Sequence, residues 1–257
     1  MLGKLLRYEF KALLQIMPVL YLVLQVLAVA AGVNSLIDNG RDFNFETPAM
    51  AGRGTLTQVL YTIWPMMFFA LLTVNLALVI LRFRDNFLKD EGYLMFTLPV
   101  PEWALAASKA IAALCTFLLT AIAGVLSLLI FTLIADFRNL VESLPWMFRH
   151  WTDWNSAGFA TLSLGAVIML VVVFQQLCLI YAAMTVSQLV PRFRGFAGFG
   201  AYLAVMSILE QPLTKAVLSL PLTGIPHLLI IALTQAAFAA LYLWCTSTLL
   251  KYTFNLE

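Results

Sequence analysis

The chain has 257 residues, of which 62% are hydrophobic and 11% are charged, and its formal net charge is +2. A soluble domain usually contains about 45–50% apolar and about 25% charged residues. In water this chain would expose more apolar surface than its polar side chains could cover. A soluble enzyme, a nucleic-acid-binding protein and a disordered scaffold are therefore poor fits, and the composition predicts a protein that lies in the bilayer. The long uncharged runs described below make the prediction an all-α polytopic membrane protein.

The first segment, residues 2–14, has the pattern of a helix that lies in the membrane interface. At about 100° per residue, Lys4, Arg7 and Lys11 fall within an arc of about 60°, and leucines occupy the opposite side. Such a cationic face is attracted to anionic lipid headgroups. The alternative is an early extension of the first membrane span. The segment lacks a small-residue cleavage site, so we do not expect a removed signal peptide.

Glu9 breaks this pattern, because it points into the apolar face of the helix. A carboxylate in such a place is costly unless it is paired or hydrogen-bonded. We predict a partner within the chain, Arg82 or Arg84, at the inner end of the second span. The alternative is that Glu9 reaches the surface beside Arg7 or Lys11.

Runs without charged residues locate the membrane spans, because a helix needs about 20 apolar residues to cross the hydrocarbon core. The runs are 12–37, 54–81, 110–135, 154–191, 195–209 and 216–250. We predict one span in each run. The fifth run is short, so its span must include Glu210 or stop close to it.

Residues 211–226, which precede the last apolar run, contain Pro212, Pro221, Gly224 and Pro226. Proline inside a helix removes a hydrogen bond and clashes with the preceding turn. We therefore predict a re-entrant or interfacial excursion there that does not cross the membrane.

The distribution of Lys and Arg orients the six predicted spans. With both termini in the cytoplasm, ten of these residues lie inside and five outside, as the positive-inside rule requires. Three tryptophans, Trp146, Trp151 and Trp154, cluster in one outer loop, where aromatic side chains favour the headgroup level. If residues 195–209 were not a span, the C-terminus would lie outside.

The longest inside segment is the loop 82–109. Its first part is charged and can form a polar helix, and residues 92–101, GYLMFTLPVP, are uncharged and too short to span. An exposed apolar decapeptide beside a charged helix predicts a docking element for another protein. The alternative is an interfacial elbow that returns into the headgroups.

Three stretches resemble the permease subunits of ABC-2 type transporters, which are common in bacteria. They are DEGYLMFTLPV with Ser108-Lys109 about ten residues later, the opening LGKLLRYEFKA and the closing LLKYTFNLE. The resemblance extends over the whole chain in length, span number and topology. It implies the ABC-2 permease fold, of the type V exporter kind, as a single transmembrane domain over residues 1–257. In that fold an N-terminal connecting helix, six spans, a coupling helix after span two and a non-crossing hairpin after span five are expected.

The resemblance also implies roles for particular residues. The ATPase-coupling region would contain Asp85, Lys89, Asp90, Glu91, Gly92, Tyr93, Leu94, Met95 and Phe96, and the connecting helix Lys4, Arg7, Glu9 and Lys11. The translocation path and dimer interface would be lined by Trp64, Phe68, Phe69, Leu72 and Asn75, facing Phe199, Tyr202, Leu203 and Met206. This aromatic and apolar lining suits an amphipathic or lipid-like substrate. Core packing without a ligand is the alternative.

The function implied by the resemblance is transport, with export as the expected direction. No GxxxxGK[ST] motif occurs in the chain, so it lacks the backbone loop that cradles ATP phosphates. ATP and Mg²⁺ would bind to two separate cytoplasmic ATPase subunits, and this chain would be neither an enzyme nor the carrier of a cofactor or metal. A second permease subunit, identical or different, and membrane lipids would complete the assembly in the bacterial cytoplasmic membrane. An ATP-independent carrier, or a structural or sensory membrane protein, is the alternative.

Few polar side chains interrupt the spans, and the candidates among them are Gln25, Asn75, Gln175, Gln176 and Gln235. We expect them to form interhelical hydrogen bonds, with a place along the translocation path as the alternative. Gln175 and Gln176 lie about 100° apart on a helix, so we do not expect them to share one neighbour.

Glu210 is the one acid that could lie at membrane depth. Ionisable residues there are candidates for function. We expect Glu210 to lie at the outer interface, paired with Lys215, and the functional alternative is a hydrated external gate.

Overall fold

The computed structural model describes residues 2–15, 17–38, 55–87, 102–135, 137, 141–142, 145, 156–190, 193–221 and 224–253. The major helices in these ranges are α1 (Leu2–Leu13), α2 (Met17–Asp38), α3 (Thr55–Phe87), α4 (Glu102–Ala135), α5 (Ser156–Val186), α6 (Arg194–Val205), α7 (Gln211–Leu218) and α8 (Ile225–Thr253). A 3-10 turn, Ser187–Leu189, follows α5, and a π-helical stretch, Met206–Glu210, joins α6 to α7. The described residues include no β-strand, which confirms the all-helical prediction.

Five helices are long and apolar enough to cross a membrane. They contain the spans Met17–Ile37, Thr55–Asp85, Trp103–Ala135, Ala160–Leu189 and Ile225–Lys251. These correspond to predicted spans one to four and six, and they confirm a multi-pass membrane protein. The predicted fifth span is not among them, because α6 has only 12 residues before the backbone changes to π geometry at Met206. The count of six spans stays a prediction.

The chain divides into two compact units. The first consists of Met1–Ala12, Leu78–Cys115 and Asn155–Glu257, and the second of Leu13–Ala77 and Thr116–Trp154. Helices α3 and α4 each pass from one unit into the other along their own length.

In the second unit α2, α3 and α4 are joined by buried hydrogen bonds. Asn75 of α3 is fully buried, donates from Nδ2 to Thr120 Oγ1 at 3.1 Å and accepts from Thr116 Oγ1 at 3.1 Å. Tyr21 Oη of α2 lies 2.9 Å from the same Thr120 hydroxyl, and Gln25 Nε2 donates to the Ala123 carbonyl at 2.9 Å. The interhelical bonding predicted for Gln25 and Asn75 is thus confirmed.

Small residues and aromatic rings pack the other half of this unit. Trp64 stacks on Phe131 with ring centroids 4.8 Å apart, beside the buried Ala28 and Ala31. At Gly32 an added Cβ would lie 2.9 Å from Ile134 Cβ. Glycine there lets the backbones of α2 and α4 approach closely, as small residues do in membrane helix pairs.

In the first unit the C-terminal end of α3 packs on α5. Phe83 and Tyr181 are both buried, and their rings stack with centroids 4.2 Å apart. The start of α4 is rich in buried alanines such as Ala104, Ala106 and Ala110. Short side chains keep that end of α4 close to its neighbours.

The segment from α6 to α7 runs antiparallel to both α5 and α8. Gly198 lies against Ser187, while Glu210, twelve residues later, contacts Gln175, twelve residues before Ser187. His227 Nε2 lies 3.1 Å from the Val217 carbonyl oxygen, and Tyr242 contacts Glu210. Since the segment is antiparallel to both neighbours, α5 and α8 run in the same direction.

Candidate functional site

The first buried polar group is a charged cluster formed by Glu9, Arg82 and Lys109, which we call the Glu9 cluster. Arg82 Nε donates to Glu9 Oε2 at 3.1 Å, and Lys109 Nζ donates to Glu9 Oε1 at 2.5 Å. The side chains of Glu9 and Lys109 are 7% and 4% exposed, and that of Arg82 is 36% exposed. One carboxylate therefore bridges two cations, one of them fully buried.

The pattern of α1 explains why Glu9 reaches this place. Arg7, Tyr8 and Lys11 are exposed, whereas Glu9 and Leu13 are buried. The prediction that Glu9 pairs with Arg82 is confirmed. The alternative of a surface position beside Arg7 or Lys11 is wrong, because the Glu9 side chain is buried.

The sequence interpretation missed Lys109 as a partner of Glu9. A signal was present, because Lys109 is a lone cation just before the apolar run 110–135. A lysine that begins an apolar helix needs either water or an acid, and Glu9 is the acid that the fold supplies.

The Glu9 cluster ties α1 to two other helices. Arg82 lies near the end of α3, and Lys109 lies in the second turn of α4. These two helix ends border residues 88–101, which contain most of the predicted coupling region. Lys89, Asp90, Glu91, Gly92, Tyr93, Leu94, Met95 and Phe96 lie outside the described residues.

The remaining predicted residues of these two regions lie on α3 and α1. Asp85, in the last turn of α3, accepts a hydrogen bond from Arg84 Nε at 3.2 Å, and both side chains are substantially exposed. Lys4 lies in the first half of α1.

The second buried polar group surrounds Glu210, which is 6% exposed. We call it the Glu210 cluster: Gln175, Gln176, Tyr202, Glu210 and Tyr242. Gln175 Nε2 and Tyr242 Oη both donate to Glu210 Oε1, the latter at 2.7 Å, and Gln176 Nε2 donates to Oε2 at 3.1 Å. Tyr202 Oη donates to Gln176 Oε1 at 3.1 Å. The carboxylate is therefore held by two amides and one phenol, all of them neutral.

The depth of Glu210 follows from its partners. Gln175 lies at the centre of the 30-residue apolar span Ala160–Leu189, and Tyr242 lies well inside the span Ile225–Lys251. The prediction that Glu210 lies at the outer interface and pairs with Lys215 is therefore wrong. In the described part of the chain its hydrogen-bond partners are Gln175, Gln176 and Tyr242. Its role as an external gate stays a prediction.

The expectation that Gln175 and Gln176 do not share a neighbour is wrong. Both side chains donate to Glu210. Their side chains have three rotatable torsions, which is enough to converge on one carboxylate from positions about 100° apart on the helix. The adjacency of two glutamines in an apolar span was a signal for a shared acid.

The π-helical stretch ends at Glu210. The Gln211 N–H donates to the carbonyl of Met206, five residues earlier. Pro212 follows, and since it has no N–H, the carbonyl four residues before it cannot receive its usual helical bond. The wider turn accommodates this proline, and such π stretches occur frequently at functional sites.

The residues predicted to line a path have different environments. Trp64 stacks on Phe131, Phe68 lies against Gly124, Leu72 is partly buried and Asn75 is fully buried, whereas Phe69 is 67% exposed. On α6, Phe199 and Leu203 are exposed. Tyr202 and Met206 both contact Gln176, the latter through its sulfur at 3.6 Å. The facing of these two groups across a path stays a prediction.

The thiols of Cys115, Cys178 and Cys245 are free, and no group of His, Cys, Asp and Glu among the described residues could hold a metal ion. Comparison with models of protein families, with curated proteins and with solved structures finds no match for this chain. The two buried clusters and the membrane-spanning helices are the features of this chain that bear on its function.

Proposed function

We propose that this chain is the permease subunit of an ATP-binding cassette transporter of the ABC-2 type, which exports an amphipathic or lipophilic substrate from bacteria. Two separate ATPase subunits would supply the energy, and a second permease subunit would complete the path. The observation that carries the proposal is the Glu9 cluster.

The Glu9 cluster joins the three elements that an ATPase acting on the inside loop would move together. A partner bound at residues 88–101 would push on the end of α3 and the start of α4. Arg82 and Lys109, on these two helix ends, are both bonded to the carboxylate of Glu9. A displacement of the loop would therefore reach α1 at the membrane surface and continue along α3 and α4 into the bilayer.

Six crossings are part of the proposal. The described helical segment Arg194–Leu218 is antiparallel to α5 and α8, which are both long and apolar enough to cross. Two crossing helices that run in the same direction need a return crossing between them, and this segment is the chain that connects them. The proposed crossing takes in the first eight residues of the predicted excursion, Gln211–Leu218, because Glu210 contacts the centre of α5.

The experiment has two stages. An affinity-tagged chain is first purified from its native membranes, and we expect an ATP-binding subunit to purify with it. In the reconstituted complex, Glu91→Ala and Tyr93→Ala should then lower the ATP hydrolysis that the permease stimulates, because both residues lie in the proposed coupling region. Glu142→Gln, which alters an exposed acid outside both buried clusters, is the matched control and should hydrolyse ATP like the unmodified complex.

A second candidate function is an ATP-independent carrier. Carriers place binding sites near the middle of the membrane, and Glu210 is a buried acid that contacts the centre of an apolar span. Transport into proteoliposomes that contain this chain alone, without nucleotide, would favour the carrier. Purification of the chain without any ATPase would count against the transporter.

A further inference from the structure

We propose that the Glu210 cluster binds the cationic head group of an amphiphile with an alkylammonium group, and that such cationic amphiphiles are the substrates of the permease. Transport of these amphiphiles rests on the proposed function, whereas their binding to the Glu210 cluster is a property of this chain by itself.

The charge of Glu210 is the first reason. A carboxylate at membrane depth is costly unless a positive charge accompanies it. Its hydrogen-bond partners in the described part of the chain are the neutral side chains Gln175, Gln176 and Tyr242. Among the described residues, the cations Arg82 and Lys109 are bonded to Glu9. A positive ligand would supply the charge that the cluster lacks.

The hydrogen bonds leave one acceptor position of the Glu210 carboxylate for such a ligand. An ionised carboxylate has about four lone-pair positions, and donors occupy three of them. Oε1 accepts from Gln175 and Tyr242, while Oε2 accepts from Gln176 alone. The remaining position is therefore on Oε2.

The groups next to Oε2 suit an alkylammonium ion. The amide of Gln176 that holds Oε2 also contacts the sulfur of Met206 and the hydroxyl of Tyr202. Both side chains are partly exposed, so a ligand would approach the buried Glu210 from this side. An aromatic face and a thioether are polarisable, and aromatic rings beside a carboxylate recognise ammonium groups that have lost part of their hydration.

From this side of the cluster, a largely apolar helical face continues along α6 and the turn that follows it. Phe199, Tyr202, Leu203 and Met206 follow the spacing of one helical face, and Glu210 closes the series after one more turn. Phe199 and Leu203 are 63% and 48% exposed. An alkyl chain lying along this face would place its head group at Glu210, so the same ligand satisfies the charge and the apolar surface.

Equilibrium binding to the full chain in phosphatidylcholine nanodiscs tests the proposal. The probes are dodecylammonium, dodecyl sulfate and dodecyl maltoside, which share one alkyl chain and differ in charge, and empty nanodiscs correct for partition into lipid. We expect saturable binding of the cation at least tenfold tighter than that of the other two. Equal affinity for all three, or no saturable binding of the cation above empty discs, would overturn the proposal.

Variants locate the site. Glu210→Gln keeps the shape of the side chain and removes its charge, so the affinity for dodecylammonium should fall at least tenfold, while Glu142→Gln should leave it unchanged. Tyr202→Leu, which retains the carboxylate, should weaken binding roughly threefold to tenfold through loss of the ring. Unchanged affinity in a folded Glu210→Gln protein would overturn the proposal. If that variant does not fold, the proposal is tested by the affinity of Tyr202→Leu and by the charge selectivity of the unmodified chain.

The binding test and the test of the proposed function can fail separately. Binding is measured on the chain without an ATPase, whereas co-purification and coupling need no cationic ligand. If the chain binds the cation but no ATPase, the proposed binding site is supported and the proposed ABC transporter is overturned. If the chain couples to an ATPase but does not bind the cation, the transporter is supported and the proposed substrate class is overturned.

Discussion

At the scale of single residues, the two buried carboxylates are stabilised in different ways. Glu9 bridges a buried lysine and a half-exposed arginine, whereas Glu210 is surrounded by neutral donors. Buried ion pairs often contribute little net stability, but removing one partner leaves the other charge uncompensated. Replacement of Glu9 is thus expected to lower the stability of the protein mainly because it leaves Lys109 without an anion.

The first prediction concerns this pair. Glu9→Gln should lower the free energy of unfolding by about 3–5 kcal/mol, because Lys109 then stays buried without an anion. Adding Lys109→Met should recover part of that loss. The measurement is reversible unfolding of the purified protein in detergent.

A control separates this effect from a general loss of surface charge. Arg84→Gln removes the exposed pair with Asp85 and should change stability by no more than about 1 kcal/mol. Losses for Glu9→Gln and Lys109→Met that simply add in the double variant would show that the two side chains are not coupled.

The sequence could identify Glu9, Gln175, Gln176 and Glu210 as residues that need partners, because each is polar in an apolar setting. It predicted Arg82 or Arg84 as the partner of Glu9, because the end of a span can be counted along the chain, and the structure selects Arg82. It did not predict that both glutamines converge on Glu210. That contact depends on the position of the π stretch relative to α5, which no periodicity of the sequence encodes.

At the scale of helices, close packing depends on a few glycines. Gly32 lies against Ile134, and an added methyl group would lie 2.9 Å from its Cβ. Gly165 of α5 has open space around the same position. The two glycines are matched in being helical and differ in what surrounds them.

The second prediction uses this contrast. Gly32→Ala should destabilise the protein by about 1–3 kcal/mol, the usual cost of overpacking, because α2 and α4 must move apart. Gly165→Ala should be neutral or stabilising by up to about 1 kcal/mol, since alanine favours a helix more than glycine does. Thermal unfolding of both variants in one detergent is the measurement, and a stable Gly32→Ala protein would contradict the close approach.

The helix bounds show which elements the sequence can predict. Uncharged runs located α2, α3, α4, α5 and α8, because apolar length is a strong signal in a membrane protein. The course of the segment from α6 to α7 is hard to predict from the sequence, because Glu210 and Pro212 interrupt its apolar run. Proline there was interpreted as the start of an excursion, whereas the structure accommodates it in a continuous helical segment with one wide turn.

At the scale of the whole molecule, the number of crossings decides on which side the C-terminus lies. Six crossings place both termini on one side of the membrane, and five place them on opposite sides. The antiparallel course of Arg194–Leu218 between α5 and α8 supports six.

The third prediction tests the count by labelling single cysteines with a membrane-impermeant maleimide. Cys115, Cys178 and Cys245 are replaced by alanine, and a cysteine is introduced by Tyr8→Cys, Ser219→Cys or Lys251→Cys. These three positions are exposed. We expect Ser219→Cys to react from outside the cell, and Tyr8→Cys and Lys251→Cys to react only in inverted vesicles. Reaction of Lys251→Cys from outside would mean five crossings.

The ion pair between Glu9 and Lys109 also has a consequence for biosynthesis. The two residues are 100 positions apart, and a ribosome adds about 5–20 residues per second, so Lys109 is made roughly 5–20 s after Glu9. The buried pair cannot form during that interval, so Glu9 lacks its lysine partner until the start of α4 has been synthesised. The contact between α1 and α4 is therefore made only after nearly half of the chain exists, and a nascent chain that stalls before Lys109 would leave its first helix more accessible to proteases.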